Sequence, residues 1–500
     1  MTSLTRSAFL RLSAAAATAA AAPAKAQPSP KTVRPLLIKG ADVLTMDPKT
    51  GEVAGADVLV ADGKIAAIGK GLSAGGAEVV DATGHILMPG MIDGHRHVWE
   101  IADAGRLTKF HPKGYSTYQE WKMRTIVCLT PEDNHLAGLI GGLQAIDSGV
   151  TSLIDFAHGQ PTQAQALGAA RGLKESGVAG WFAFQLGVSS NYGPGSTVSL
   201  EQAHALRIAR STETHWRTAA AIQSEVLSGS GPLQMGLCPS TGLGDPIDLV
   251  KAEWTRARAT GVKMIAAHIH RPEKPHAVGH VGHRGSGIAD LFDAGLLGPD
   301  FHVAHGNQLT DEELALLRRT GGMICATAMG EFPYVSAGRG ASVHGRARAA
   351  GVPAGVGVDV SLALPSDYFE HVRAGFWNLY LEPEGRKING AYKSEDVLDF
   401  ATRMGAQAIG LGDVTGTLTV GKRADMLLVK TDRIGFGMLG TLADRVVTFA
   451  QSSDIDSVWI GGVAKKRGGR MIGHDFTRLK RKLAEAQARF GPQAQSIKFS

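Results

Sequence analysis

The chain has 500 residues, of which 44% are hydrophobic and 20% charged, so it can bury a large core and is not a disordered polymer. Its 52 basic and 46 acidic residues leave a formal charge of +6 with no long basic run, which argues against a nucleic-acid partner. Three cysteines, Cys128, Cys238 and Cys325, make no disulfide framework and no C-x-x-C pair, and 64 glycines favour a fold rich in tight turns.

Residues 1–26 have the pattern of an export leader. Arg6 and Arg11 flank Phe9-Leu10, an alanine-rich run follows from Ser13 to Ala22, and Ala24-Lys25-Ala26 is a small-x-small cleavage site. Thr5-Arg6-Ser7-Ala8-Phe9-Leu10 resembles a twin-arginine signal with one arginine missing. The expectation is cleavage after Ala26 and export, to the periplasm, with a cytoplasmic tail as the alternative. The apolar run is shorter than the roughly 20 residues that span a bilayer, so no membrane span is expected.

From Leu36 to Pro89 short β runs alternate with turns: Leu36–Ile38, Val43–Met46, Val58–Val60 and Lys64–Ile68. Asp62-Gly63 between the last two is a two-residue hairpin signal, because both positions tolerate positive φ. A second β block lies far away, at Gly416–Val420, Ala424–Val429 and Ser457–Gly462. Residues 33–88 and 416–470 therefore predict one small β-sandwich domain assembled from both ends of the chain.

Between them, residues 89–415 alternate strands and helices. The strands are Ile86–Met88 leading into Met91–His95, then Gly149–Asp155, Ala179–Phe184, Leu233–Leu237, Val262–Ala267, Phe301–Ala304, Met323–Ala326 and Ala354–Val358. Eight strands with intervening helices predict an α/β fold, a (β/α)8 barrel. Thr130-Pro131-Glu132-Asp133 starts one helix, and Thr310-Asp311-Glu312-Glu313 starts another that Gly321-Gly322 ends. A last helix over 475–491 carries Phe476, Leu479, Leu483, Ala486 and Phe490 on one face and should dock.

Barrel active sites lie at the C-terminal ends of the strands. His95 and His97 follow the first strand, His268 and His270 end the fifth with Glu273 just beyond, His305 ends the sixth and Asp359 the eighth. Residues two apart on a strand end face the same way, so His95 and His97 can grip one ion. Imidazole and carboxylate suit zinc or iron(II), and such an ion activates water for hydrolysis. Glu273 can carry the proton, Asp359 can bind the metal and share the water's proton, and His305 can polarise the substrate or complete the metal shell. No lysine stands from Leu233 to Ser240, which favours one metal over a lysine-bridged pair.

The motifs Pro89-Gly90-Met91-Ile92-Asp93-Gly94-His95-Arg96-His97, His270-Arg271-Pro272-Glu273, His305-Gly306-Asn307 and Gly357-Val358-Asp359 resemble the amidohydrolase superfamily. The branch is that of cytosine deaminase, S-adenosylhomocysteine deaminase and triazine chlorohydrolases. Gly416-Thr417-Leu418 and Gly421–Asp425 resemble the return of that family into its β domain, so the likeness spans about 36–467. It implies one divalent metal, zinc or else iron, held by His95, His97, His270 and Asp359. It also implies Glu273 as the proton shuttle, His305 as a contact to the substrate or its attacked centre, and a homo-oligomer.

The activity expected is hydrolysis of a non-peptide carbon–nitrogen bond in a small molecule, by deamination of a heterocycle. An amide, carbamate or urea-type hydrolase, or a dechlorinating triazine hydrolase, is the alternative. A non-catalytic metal- or solute-binding protein would lack Glu273 or a ligand, and none is missing. Arg96 stands where the family has a smaller residue, and Ala326-Thr327-Ala328-Met329-Gly330-Glu331 replaces an Asn-x-Ser-Asn stretch. Arg96, Trp99, Glu100 and His158 are the expected substrate contacts. His276, His280 and His283 read as a solvated loop, and Gly338–Gly340 only superficially as a phosphate loop. His302, Cys238 and Cys325 read as core residues.

Overall fold

The computed structural model describes residues 34–106, 114–207, 209–241, 245–269, 287–331, 342–380 and 392–500. The leader expected over 1–26 lies outside them, as do His270, Glu273, His276, His280, His283 and the Gly338–Gly340 loop.

Five strands open the described chain: β1 (Leu36–Leu44), β2 (Glu52–Ala61), β3 (Lys64–Gly69), β4 (Glu78–Asp81) and β5 (His85–Pro89). Asp62 and Gly63 join β2 to β3 with φ of 50° and 74°, the twist that a tight hairpin requires. The two short runs expected at Leu36–Ile38 and Val43–Met46 fall on one strand, which ends at Leu44. Gly40, at φ 72°, carries β1 through an irregularity between Ile38 and Ala41 without ending it. Ile86–Met88 also departs from expectation. It belongs to β5 in the outer sheet, and the barrel starts only after Gly90.

The barrel strands are β6 (Met91–Arg96), β7 (Val150–Ala157) and β8 (Ala179–Gln185), then, past a short β9 (Thr197–Val198), β10 (Leu233–Cys238), β11 (Ile265–Ile269), β12 (Phe301–His305), β13 (Met323–Ala326) and β14 (Ala354–Val356). They form one parallel sheet in the order β14-β13-β12-β11-β10-β8-β7-β6. Its two edges meet through a parallel bridge between Arg96 and Asp359: Asp359 N donates to His95 O at 2.8 Å, and His97 N to Asp359 O at 3.0 Å. Every residue of β6, β7, β12 and β13 is buried, as parallel strands covered on both faces require.

β15 (Met426–Lys430), β16 (Ile455–Ile460), β17 (Val463–Arg467) and β18 (Arg470–Met471) return to the first sheet. Its order is β18-β17-β16-β15-β5-β1-β2-β3, with β4 beside β1. Ile38, Val43, Val58, Leu87, Leu428 and Trp459 fill its core. The strand expected at Gly416–Val420 does not form. Leu418 N reaches Thr45 O at 2.8 Å, but Gly416 and Gly421, at φ 89° and 93°, bend the chain out of any ladder.

Thr130 and Asp133 form a capping box on helix Pro131–Asp147, and Thr310 and Glu313 do so on helix Asp311–Thr320, which Gly321 ends at φ 78°. The last helix runs Phe476–Ser496, beyond the expected 491. It buries Ala486, Phe490, Gly491 and Ala494 but leaves Phe476, Leu479 and Leu483 half-buried. β19 (Lys498–Phe499) follows it and pairs in parallel with β9. The three cysteines are free and buried, and His302 sits in the core with Nδ1 2.8 Å from Ala408 O. Among the described residues no helix is long and apolar enough to cross a membrane.

Candidate active site at the barrel mouth

Strand alternation turns His95 and His97 into the barrel and sends Arg96 the other way. The Arg96 guanidinium donates to Asp93 Oδ2 at 2.7 Å and to Gln144 Oε1 of helix Pro131–Asp147 at 3.3 Å. It is buried and braces the strand against that helix. The expectation that Arg96 contacts substrate is therefore corrected: the residue between two inward histidines must face outward. Asp93 Oδ1 accepts from His95 N at 3.2 Å and from Val358 N at 3.1 Å, so one carboxylate ties the first strand to the end of the last.

His97 Nδ1 lies 2.9 Å from Phe156 O. A carbonyl only accepts, so Nδ1 carries a proton and Nε2 is the atom turned toward Asp359. Neither ring nitrogen of His95 has a hydrogen-bond partner, and burial depresses its pKa to about 3, which keeps the ring neutral. His268, on β11, completes the group, its ring 4.8 Å from that of His95 and 5.3 Å from that of His97.

Asp359 lies just beyond β14, with Oδ1 3.5 Å from His95 Nε2 and 3.3 Å from His97 Nε2. Burial opposes its charge, but the two imidazoles hold the carboxyl well below its usual range. His305 ends β12, with Nδ1 2.8 Å from Glu331 Oε1 and 3.1 Å from Thr327 Oγ1. His305 and Asp359 have φ of 74° and 68°, left-handed backbone that a side chain adopts only where its surroundings enforce it.

The ligand atoms of His95, His97 and His268 lie within 4.8 Å of one another, and so do those of His95, His305 and Asp359. Four imidazoles, one of them with neither ring nitrogen hydrogen-bonded, and one ionised carboxylate form a donor set that fits a borderline divalent cation.

A polar layer surrounds this group. The His158 ring stacks on His97 at 3.8 Å, and its Nδ1 accepts from Trp99 Nε1 at 2.9 Å. Trp99 is packed so closely on Gly159 that a Cβ there would come within 2.5 Å of the indole. Glu100 is fully buried in the turn Val98–Asp103; Tyr118 Oη donates to its Oε1 at 2.5 Å, while Oε2 has no hydrogen-bond partner. Burial pushes its pKa up to about 7. Lys122 Nζ stands 3.5 Å from His158 Nε2. Asp155 Oδ1 accepts from Val98 N at 3.0 Å, and burial raises this carboxyl too to about 7.

The strand ends bring His95, His97, His305 and Asp359 together, and His158 stands beside them. His268 joins the cluster although the sequence favoured His270 two residues on. Tyr118, Lys122, Asp155 and Glu331 carried no recognised motif. The one available signal for Glu331 was an acidic residue closing an otherwise apolar segment after a barrel strand.

A model of the Amidohydrolase family matches residues 86–465. The chain belongs to the amidohydrolase family. It is accordingly a metal-dependent hydrolase of carbon–nitrogen bonds other than peptide bonds. It is similar to the 5'-deoxyadenosine deaminase of Methanosarcina acetivorans, with 27% identity over 438 residues, 85% of this chain and 91% of that protein. Among solved structures, it resembles a zinc-bound adenosine deaminase from Xanthomonas campestris at a TM-score of 0.74 and 19% identity, covering 91% of this chain and 98% of that one. It also resembles an atrazine chlorohydrolase from Arthrobacter aurescens complexed with zinc, at 0.73 and 19%, covering 90% and 99%. These two likenesses concern the fold.

Proposed function

We propose that this amidohydrolase deaminates an amino-substituted nitrogen heterocycle, using one zinc ion held by His95, His97, Asp359 and a histidine from the end of β11. Iron is the alternative metal. The family pattern supports His270 as the β11 ligand, while the described cluster contains His268. The observation that carries the reading is that His95 shares one ligand group with His97 and His268 and a second with His305 and Asp359, the ligand atoms of each lying within 4.8 Å of one another. The deaminase relative supports the substrate class.

A divalent ion held by these residues would supply a Lewis acid and lower the pKa of water from about 15.7 toward about 7. Glu273 takes one proton of the attacking water and delivers it to the ring nitrogen, and Asp359 takes the second, which passes to the departing amine. The water oxygen adds to the carbon, the carbon–nitrogen bond breaks and ammonia leaves with the transferred proton. His305, oriented through Nδ1, presents Nε2 to the attacked centre. His158, Trp99 and Glu100 form the wall against which the heterocycle lies.

The purified protein should hold about one equivalent of metal and release ammonia from aminoheterocycles, losing activity on chelation and regaining it with zinc. Protein without stoichiometric divalent metal, or with turnover untouched by chelation, sinks the reading. Glu273→Gln should keep the metal and lose turnover; full activity removes Glu273 from its role. Metal content of His268→Ala and His270→Ala decides which histidine is the ligand. Residues 1–26 are read as a leader removed on export to the periplasm, supported by the basic, apolar and small-x-small order of the segment. N-terminal sequencing of protein from cell fractions tests it. The family likeness supports a homo-oligomer, which sedimentation measures.

A further inference from the structure

Glu331 follows β13 and is buried. Its Oε1 lies 2.8 Å from His305 Nδ1 and 2.9 Å from Thr327 Oγ1, and its Oε2 lies 3.4 Å from Ser342 Oγ. Burial works against its charge, but hydrogen bonds from His305, Asn307 and Thr327 hold the carboxyl below its ordinary value. An ionised carboxylate only accepts, so the proton on His305 sits on Nδ1. The other nitrogen, Nε2, is then the one offered to the pocket, where the ring stands 5.1 Å from His95. His305 also holds a left-handed backbone at φ 74°, so its ring direction is not fixed by ordinary strand geometry and needs a tether.

We propose that Glu331 is the positioning residue of His305, a carboxylate that fixes the tautomer and direction of the imidazole facing the substrate. The proposal rests on the reading of His305 as a substrate contact in a hydrolytic site. A buried carboxylate satisfied by a hydroxyl pair could serve packing alone, and the experiment separates the two roles.

Glu331→Gln keeps the size and an acceptor but removes the charge that dictates the tautomer. Its melting temperature and metal content should match the wild type, and KM should change little. Its kcat should fall roughly 10- to 100-fold, the range seen when a carboxylate that orients an imidazole is removed. Glu331→Asp, which restores the charge, should recover part of the loss. Glu331→Gln with His305→Gln should be no slower than His305→Gln alone, since both changes remove one unit. Wild-type kcat in Glu331→Gln, or a double variant slower by the product of the two single losses, overturns the proposal.

A second readout needs no turnover. The wild-type proton spectrum should contain a low-field imidazole N–H resonance that His305→Gln abolishes and Glu331→Gln shifts or abolishes. A folded wild type without that resonance overturns the pairing even if Glu331→Gln fails to fold. If no carbon–nitrogen substrate is ever turned over while the resonance behaves as stated, the functional reading fails and the tether stands.

Discussion

Two buried aspartates, Asp425 and Asp359, show how differently this fold treats a charge. Asp425 lies where the outer sheet meets the barrel. It accepts from Thr415 Oγ1 at 2.8 Å, Gly461 N at 2.9 Å and Arg423 Nε and Nη2 at 2.9 and 2.6 Å. Arg423 Nη2 reaches on to Ser152 Oγ of β7 at 3.0 Å, so the pair fastens the two sheets. Asp359, at the mouth, faces two imidazole nitrogens at 3.3 and 3.5 Å, longer than a good hydrogen bond, from a strained backbone. A charge saturated by fixed donors holds structure together. A charge set among imidazoles, at distances longer than a good hydrogen bond, suits a cation.

Substitution should break the two sites in opposite ways. Asp359→Asn should abolish turnover and metal binding while the metal-free protein still folds cooperatively. Asp425→Ala should leave Arg423 without its partner and lower stability by about 3–5 kcal/mol, with turnover per folded molecule unchanged. Metal titration and denaturant unfolding read both, and metal loss in Asp425→Ala ahead of unfolding would erase the distinction.

A second test uses pH. Burial raises the Glu100 carboxyl from the usual 4.5 to about 7. A group whose folded pKa is raised contributes stability that is fully present below about pH 4.5 and lost as pH rises through about 7. Wild type should therefore lose stability relative to Glu100→Gln across that window, by a difference on the order of 3 kcal/mol. A constant difference between the two proteins from pH 4.5 to 8 would show that Glu100 is ionised throughout.

The smallest effect concerns the outer layer. Trp99→Phe keeps the ring against Gly159 but deletes the hydrogen bond to His158 Nδ1, at about 1 kcal/mol of stability. KM should rise several-fold with metal content intact; an unchanged KM would assign Trp99 and His158 to packing.

Much of this site was legible because it depends on local alternation. His95 and His97 share a face whatever the rest of the chain does, and apolar runs of strand length predict β7, β8 and β12 without knowledge of their neighbours. Arg96 suggests chemistry by its residue type, whereas its direction follows from the same alternation that places the histidines. Gly416–Val420 has strand-like composition, yet glycines with positive φ at both ends deny it a ladder. Tyr118 against Glu100, and Glu331 against His305, join residues from separate elements, which no spacing rule connects.

The alternation of elements, the strand ends that carry His95, His97, His305 and Asp359, and the caps that start helices Pro131–Asp147 and Asp311–Thr320 can be read from residue order alone. All of these are set within a few residues by backbone periodicity and local hydrogen bonding. That β14 closes on β6 through Arg96 and Asp359, that Glu331 takes His305 Nδ1, and that His268 meets His95 follow only from the three-dimensional fold. Those contacts arise when the barrel closes and distant strand ends are forced into one buried volume, where each polar atom must find a partner from whichever element has been brought beside it.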